Sequence, residues 1–215
     1  AAMNIDRRGL LIASGALALA PALALAPALA VPAFGRALNN KPAPDFAAKD
    51  ASGMVRSLAQ FRGQTLVLEW TNHDCPFVRK HYGSGSMQAL QKEASEAGIA
   101  WLSVISSGPG QQGHVTGAQA QALTVQRNAA PSAVLLDPTG AMGRAYGAKT
   151  TPHMFVINAQ GILVYQGGID DRPTSNPADL AKANNYVRAA LRDVAAGRSV
   201  AIATSNPYGC SVKYA

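Results

Sequence analysis

Beyond the first forty residues, the apolar positions fall into short blocks with two alternating periods. Residues 65–70, Thr-Leu-Val-Leu-Glu-Trp, are apolar on both faces, which predicts a central strand covered by helices. Residues 99–105 read as another buried strand and 133–136 as a short one, stopped by Asp137-Pro138 and followed by a turn ending in Gly140. Between them, residues 76–82, 87–97 and 116–128 carry helical patterns. Gly83-Ser84-Gly85-Ser86 separates the first two, and Gly98 ends the second. Upstream, residues 46–49 and 54–57 flank Ala51-Ser52-Gly53 as a hairpin, followed by a helical turn over 58–62. Downstream come a helical turn over 142–146, a hairpin of strands 153–158 and 162–165 across Ala159-Gln160-Gly161, and a helix over 180–196 closed by Gly197. Alternating strands and helices imply parallel strands joined by right-handed crossovers, and the late hairpin adds antiparallel ones. The fold class is α/β, with a central mixed β-sheet flanked by helices.

Many of the hydrophobic residues, 48% of the 215-residue chain, lie before position 34. Residues 1–33 read as an export signal. Arg7-Arg8-Gly9-Leu10-Leu11 is a twin-arginine pair, an uncharged apolar stretch follows, and small residues at 28–30 and 31–33 offer cleavage positions. The pattern resembles a Tat signal, with Sec export left open. Pro21, Pro27 and Pro32 interrupt the stretch and argue against a spanning helix, so membrane association is expected only if the leader stays uncleaved. The expected organisation is leader 1–33, linker 34–44, domain 45–197 and a tail over 198–215; the location is periplasmic or otherwise exported. The net charge of +7 is spread without a dense Lys/Arg run or aromatic interleaving, so no nucleic-acid partner is expected.

The chemistry centres on Cys75. Proline is well tolerated at the first helical position, so Pro76 places Cys75 at or next to a helix N-cap. There, free N–H groups and the positive dipole end favour a thiolate. His73, Arg79 and His81 are further possible helpers, and Asp74 opposes them. The other cysteine is Cys210, in the tail block Pro207-Tyr208-Gly209-Cys210. It lies thirteen positions after Gly197; such a stretch spans up to roughly 43 Å. The radius of a domain this size is about 16 Å, so the two sulfurs can meet. A redox pair, a permanent bridge and a bystander Cys210 all stay open at this point. Asp170-Asp171-Arg172 reads as a solvated loop.

Residues 43–196 resemble the thioredoxin fold in its larger redoxin form, shared by AhpC/TSA peroxiredoxins and TlpA/ResA-type proteins. The resemblance is carried in order by Ala43-Pro44-Asp45-Phe46, the strand before Cys75-Pro76, Asp137-Pro138-Thr139-Gly140, Tyr146-Gly147, Thr151-Pro152 and the 155–165 hairpin. It implies a thioredoxin-like three-layer sandwich in which Cys75 is the nucleophile. It further implies that Pro152 is a cis-proline beside it and that Glu69 is a buried carboxylate moving protons. Two departures stand out. The second cysteine of a Cys-x-x-Cys pair is replaced by Val78. Peroxiredoxins carry Thr three and Pro seven residues before the cysteine; here those are Asn72 and Leu68, with Thr71 four before. The candidate catalytic set is Cys75, Cys210, Glu69, Thr71 and Pro152. The expected partners are a small peroxide or disulfide substrate and an external thiol reductant such as a thioredoxin-like donor, with no cofactor. The alternative is a non-catalytic copper-binding module. Copper-delivery proteins of the Sco type share this fold, and Cys75, His73, His81 and His153 would be its ligands, although Arg79 stands where their second cysteine lies.

Overall fold

The computed structural model of the protein describes residues 37–215, so the expected leader and the first part of the expected linker lie outside the described residues. In chain order the elements are β1 (Ala47–Asp50), β2 (Val55–Ser57), a 3-10 turn (Leu58–Phe61), β3 (Leu66–Trp70), α1 (Pro76–Gly83), α2 (Ser86–Glu96) and β4 (Ala100–Ile105). Then follow α3 (Gly117–Gln126), β5 (Ala133–Leu136), α4 (Ala141–Tyr146), β6 (Thr150–Thr151), β7 (His153–Ile157) and β8 (Leu163–Gly167). A 3-10 turn (Pro177–Lys182), α5 (Tyr186–Ala195) and β9 (Cys210–Ser211) complete the chain.

Seven strands form one sheet in the order β2-β1-β5-β4-β3-β7-β8. The pairs β3–β4 and β4–β5 are parallel; β7 runs antiparallel to β3, and β8 to β7. Two right-handed crossovers stepping in one direction put α1, α2 and α3 on the same face. That face packs Val67, Trp101, Met154 and Tyr165 against Val78 and Tyr82 of α1, Leu90 of α2 and Leu191 of α5. The opposite face packs Leu68, Trp70, Leu102 and Phe155 against Met142 and Tyr146 of α4. All five residues of β3 are buried, as the both-faced apolar run requires. Burying each of its aliphatic side chains, Leu66, Val67 and Leu68, contributes about 1.5–3 kcal/mol.

Three segments differ from the expectation. The helix expected over 180–196 is split. The Asn185 side chain caps α5 by accepting from Arg188 N at 2.8 Å, while Asp171 holds Asn184 through its backbone and side-chain amides. Residues 37–44, expected as a linker, are docked: Ala37 N donates to Ala145 O, Asn40 N to Leu163 O and Ala43 N to Gly161 O. The tail is docked too. Gln166 N donates to Ala203 O and Val212 N to Lys149 O, and β9 pairs antiparallel with β6. Added Cβ atoms at Gly140, Gly143, Gly167 and Gly168 would lie under 3.0 Å from atoms of this tail, closer than side chains pack.

Candidate functional site

Cys75 is the N-cap of α1, with Pro76 in the first turn as the sequence predicts. Its side chain is 0% exposed. The strand before it delivers it to the end of the sheet, where Cys75 N donates to Asn72 O at 3.1 Å. Across from it the Thr151–Pro152 peptide is cis. The Thr151 carbonyl lies 3.1 Å from Cys75 Sγ and accepts from the thiol. The register of β6 with β9 sets Cys210 directly opposite Thr151. Cys210 N thereby comes 3.4 Å from Cys75 Sγ and donates to it. Both cysteines are free thiols.

Burial pushes the Cys75 thiol up, but the Cys210 thiol, the Cys210 N–H and the Val78 N–H stabilise the thiolate and bring it below the ordinary value. The Val78 N–H is one of the unpaired donors at the start of α1, the feature the N-cap position implies. Cys210 is pushed the other way, up to about 11, by burial, by its hydrogen bond to Cys75 and by the Cys75 charge. The pair is therefore ordered: Cys75 ionises first, and Cys210 remains the proton-bearing donor.

The other candidates divide. Glu69 lies on the Cys75 face of the sheet, fully buried, and accepts from Tyr82 Oη, Trp101 Nε1, Ser103 Oγ and Gln91 Nε2 at 2.9–3.3 Å. Burial raises its pKa against those donors. Among the described residues no hydrogen bond joins Glu69 to Cys75. Thr71 is buried with its hydroxyl unpartnered, and lines a cavity of about 10 Å³ with His73, Ser103 and Arg127. Arg79 Nη2 is paired with Asp74 at 3.1 Å, and its Nε donates to the His73 carbonyl. His73 Nε2 lies 3.5 Å from the other Asp74 oxygen.

The histidines do not converge on the sulfur. His153 projects to the opposite face of the sheet, its ring 4.5 Å from that of Phe155, and its Nδ1 accepts from Lys149 N. This follows from the strand period, since His153 and Phe155 share one face and Met154 takes the other. His81 is buried against Ser86 Oγ and Tyr208 Oη, 3.3 Å from each. Among the described residues no group of three or more His, Cys, Asp or Glu side chains is placed to hold a metal ion. The copper-ligand set of Cys75, His73, His81 and His153 is thus not brought together.

Asp170, expected in a solvated loop, is buried and accepts the Tyr208 hydroxyl at 2.5 Å. Sequence reasoning did not assign Tyr208, Asp170 or the Thr151 carbonyl. The unexplained tail block around Tyr208 was the only signal for the first.

A parallel core completed by an antiparallel hairpin, with a cysteine at a helix mouth facing a cis-proline, defines a protein of thioredoxin-like fold. No helix among the described residues is long and apolar enough to cross a membrane. The chain belongs to the AhpC/TSA family, whose model matches residues 40–166. Its fold is shared by a hypothetical protein from Sinorhizobium meliloti, 26% identical over 83% of this chain and 95% of that one, with a TM-score of 0.67. A conserved uncharacterised protein from Geobacillus kaustophilus is 24% identical over 83% and 93%, with a TM-score of 0.72. A thioredoxin candidate from Neisseria meningitidis is 19% identical over 74% and 95%, with a TM-score of 0.51. No curated protein matches the chain. The family match ends before the tail, so Cys210 lies outside it.

Proposed function

We propose that the protein is a thiol-dependent oxidoreductase in which Cys75 is the nucleophile and Cys210 the resolving thiol. The observation that carries this reading is the Cys210 N–H lying 3.4 Å from an unbridged Cys75 sulfur. In the first step the Cys75 thiolate attacks one sulfur of a disulfide and expels a thiolate, or attacks one oxygen of a hydroperoxide and expels an alcohol or water. The product is a mixed disulfide or a sulfenic acid. The negative charge on Cys75 is then gone, and with it one of the causes holding the Cys210 proton in place. Cys210 loses that proton to solvent and attacks the Cys75 sulfur. The second thiolate, or the sulfenic oxygen as water, leaves, and a Cys75–Cys210 bond remains. An external thiol donor reduces that bond by two electrons and restores both thiols. Glu69, raised and enclosed, serves this reading as a proton reservoir behind the nucleophile rather than as a direct partner.

The test is turnover of hydrogen peroxide and of a model disulfide by wild type, Cys75→Ser and Cys210→Ser with a dithiol donor present. Cys75→Ser should fall to the uncatalysed rate with the preferred substrate. Cys210→Ser should consume one equivalent per chain rapidly and then turn over only as fast as added thiol resolves Cys75. Equal rates for wild type and Cys75→Ser would remove Cys75 from the chemistry.

A further inference from the structure

The Pro207-Tyr208-Gly209-Cys210 block lies outside the matched family region, yet it carries the second sulfur. The tail on either side of it is fixed. Upstream, Ser205 N donates to Gln166 O, and the Ser205 hydroxyl meets Tyr165 Oη at 2.7 Å. Downstream, Val212 N donates to Lys149 O, and Tyr214 Oη donates to Ala148 O at 2.7 Å. Residues 206–211 form an arch between these two anchors, directly over Cys75. Along the arch, one side chain reaches down into the body and finds a built socket. Tyr208 Oη donates to the buried Asp170 carboxylate at 2.5 Å and lies 3.3 Å from His81 Nε2. The Tyr208 ring packs edge-on against Phe77 at 5.9 Å, with the buried Lys80 ammonium 5.4 Å from its centroid.

The socket is itself held from several elements. Lys80 Nζ donates to Arg172 O at 2.7 Å, and Arg172 N donates to Asp170 Oδ1 at 2.8 Å. His81 Nδ1 is engaged by Ser86 Oγ. Lys80 and His81 both belong to α1, the helix that Cys75 caps. Thus the helix presenting the nucleophile also builds the seat for the residue two positions before the resolving thiol. Such coupling has a direct chemical use. An intramolecular step runs at a rate set by how closely the two groups are held in attacking geometry.

We propose that Tyr208 is the positioning residue for Cys210: its seat on Asp170 and His81 fixes the resolving sulfur against Cys75. This rests on the two-cysteine reading above. The steps it governs balance as follows. The Cys75 thiolate attacks a model disulfide R–S–S–R, giving Cys75–S–S–R and one R–S⁻. The deprotonated Cys210 then attacks the Cys75 sulfur, giving Cys75–S–S–Cys210 and a second R–S⁻. Tyr208 acts on the second step and does not touch the reacting atoms.

The experiment follows both steps by rapid mixing of the reduced full chain with oxidised glutathione, acid quenching and mass analysis. It compares wild type, Tyr208→Phe, Tyr208→Ala and Asp170→Asn, with thermal melts alongside. The expected result in Tyr208→Phe is accumulation of the glutathione adduct on Cys75, with closure slowed about tenfold more than the first step, the factor one hydrogen bond to a carboxylate is worth. Tyr208→Ala should close more slowly still, and Asp170→Asn, which keeps an acceptor, should fall between Tyr208→Phe and wild type. Variants that close as fast as wild type would overturn the proposal and leave the two-cysteine reading intact. Loss of both steps together, with lowered melting, would make Tyr208 a folding residue and likewise overturn it. If wild type forms no Cys75–Cys210 bond at all, the two-cysteine reading fails and the role of Tyr208 falls with it.

Discussion

At the scale of the residue, the protein separates charge from burial. Cys75 is sealed, yet it is turned toward the thiolate by donors supplied from Cys210 and the helix start, not by the cationic side chains nearby. Arg79 is held by Asp74, and His81 is packed into the Tyr208 socket. This is why Cys75 and its helix-start donor were legible in the sequence and the donors from Cys210 were not. Pro76 marks a helix start locally, whereas the Cys210 contact joins residues 135 positions apart and depends on the fold between them. The buried histidines give a pH prediction. Burial lowers His81 to about 4 and His153 to about 3 from an ordinary 6.5. An unfolded chain takes both protons as pH falls through that ordinary value, and the folded chain refuses them until well below it. Their contribution to stability is therefore full above about pH 6.5 and is lost on acidification, at about 1.4 kcal/mol per pH unit per histidine. Urea midpoints measured from pH 7 to 4.5 should fall accordingly, and His81→Gln should flatten the slope. A slope unchanged by that substitution would show that His81 is not held neutral by the fold.

At the scale of the element, the site is made by short pieces rather than long ones. β6 and β9 are two residues each, and their single antiparallel match puts Cys210 opposite Thr151. No periodicity can announce a two-residue strand, so residues 198–215 read only as a tail. By contrast β3 and β4 were visible because both-faced apolar runs leave few alternatives. The helix expected over 180–196 failed for a local reason: two asparagines that cap and turn the chain sit inside its apolar pattern. Gly209 tests the importance of the short pairing. Its φ is +133°, and an added Cβ would run into the Thr151 carbonyl. Gly209→Ala should therefore lift the arch, raise the rate of Cys75 alkylation by iodoacetamide and slow bridge formation. Unchanged alkylation would mean that the β6–β9 pairing does not cover Cys75.

At the scale of the whole molecule, both ends of the described chain are folded back onto the sheet. Residues 37–44 run beside β8, and the tail crosses from β8 over Cys75 to α4, ending with Arg144 holding the Ala215 carbonyl. The family match covers residues 40–166 and stops short of the tail. The fold class was therefore legible from the order of motifs along the chain, whereas the partner of Cys75 was visible only as a second cysteine with sufficient reach. The central claim is that this arrangement is a working pair of sulfurs. Its most direct test is peptide mapping by mass after the reduced chain meets one equivalent of oxidised glutathione. The account predicts a Cys75–Cys210 bond within a single chain, fully reversed by a dithiol. Glutathione retained on Cys75 beside a free Cys210 thiol would contradict it.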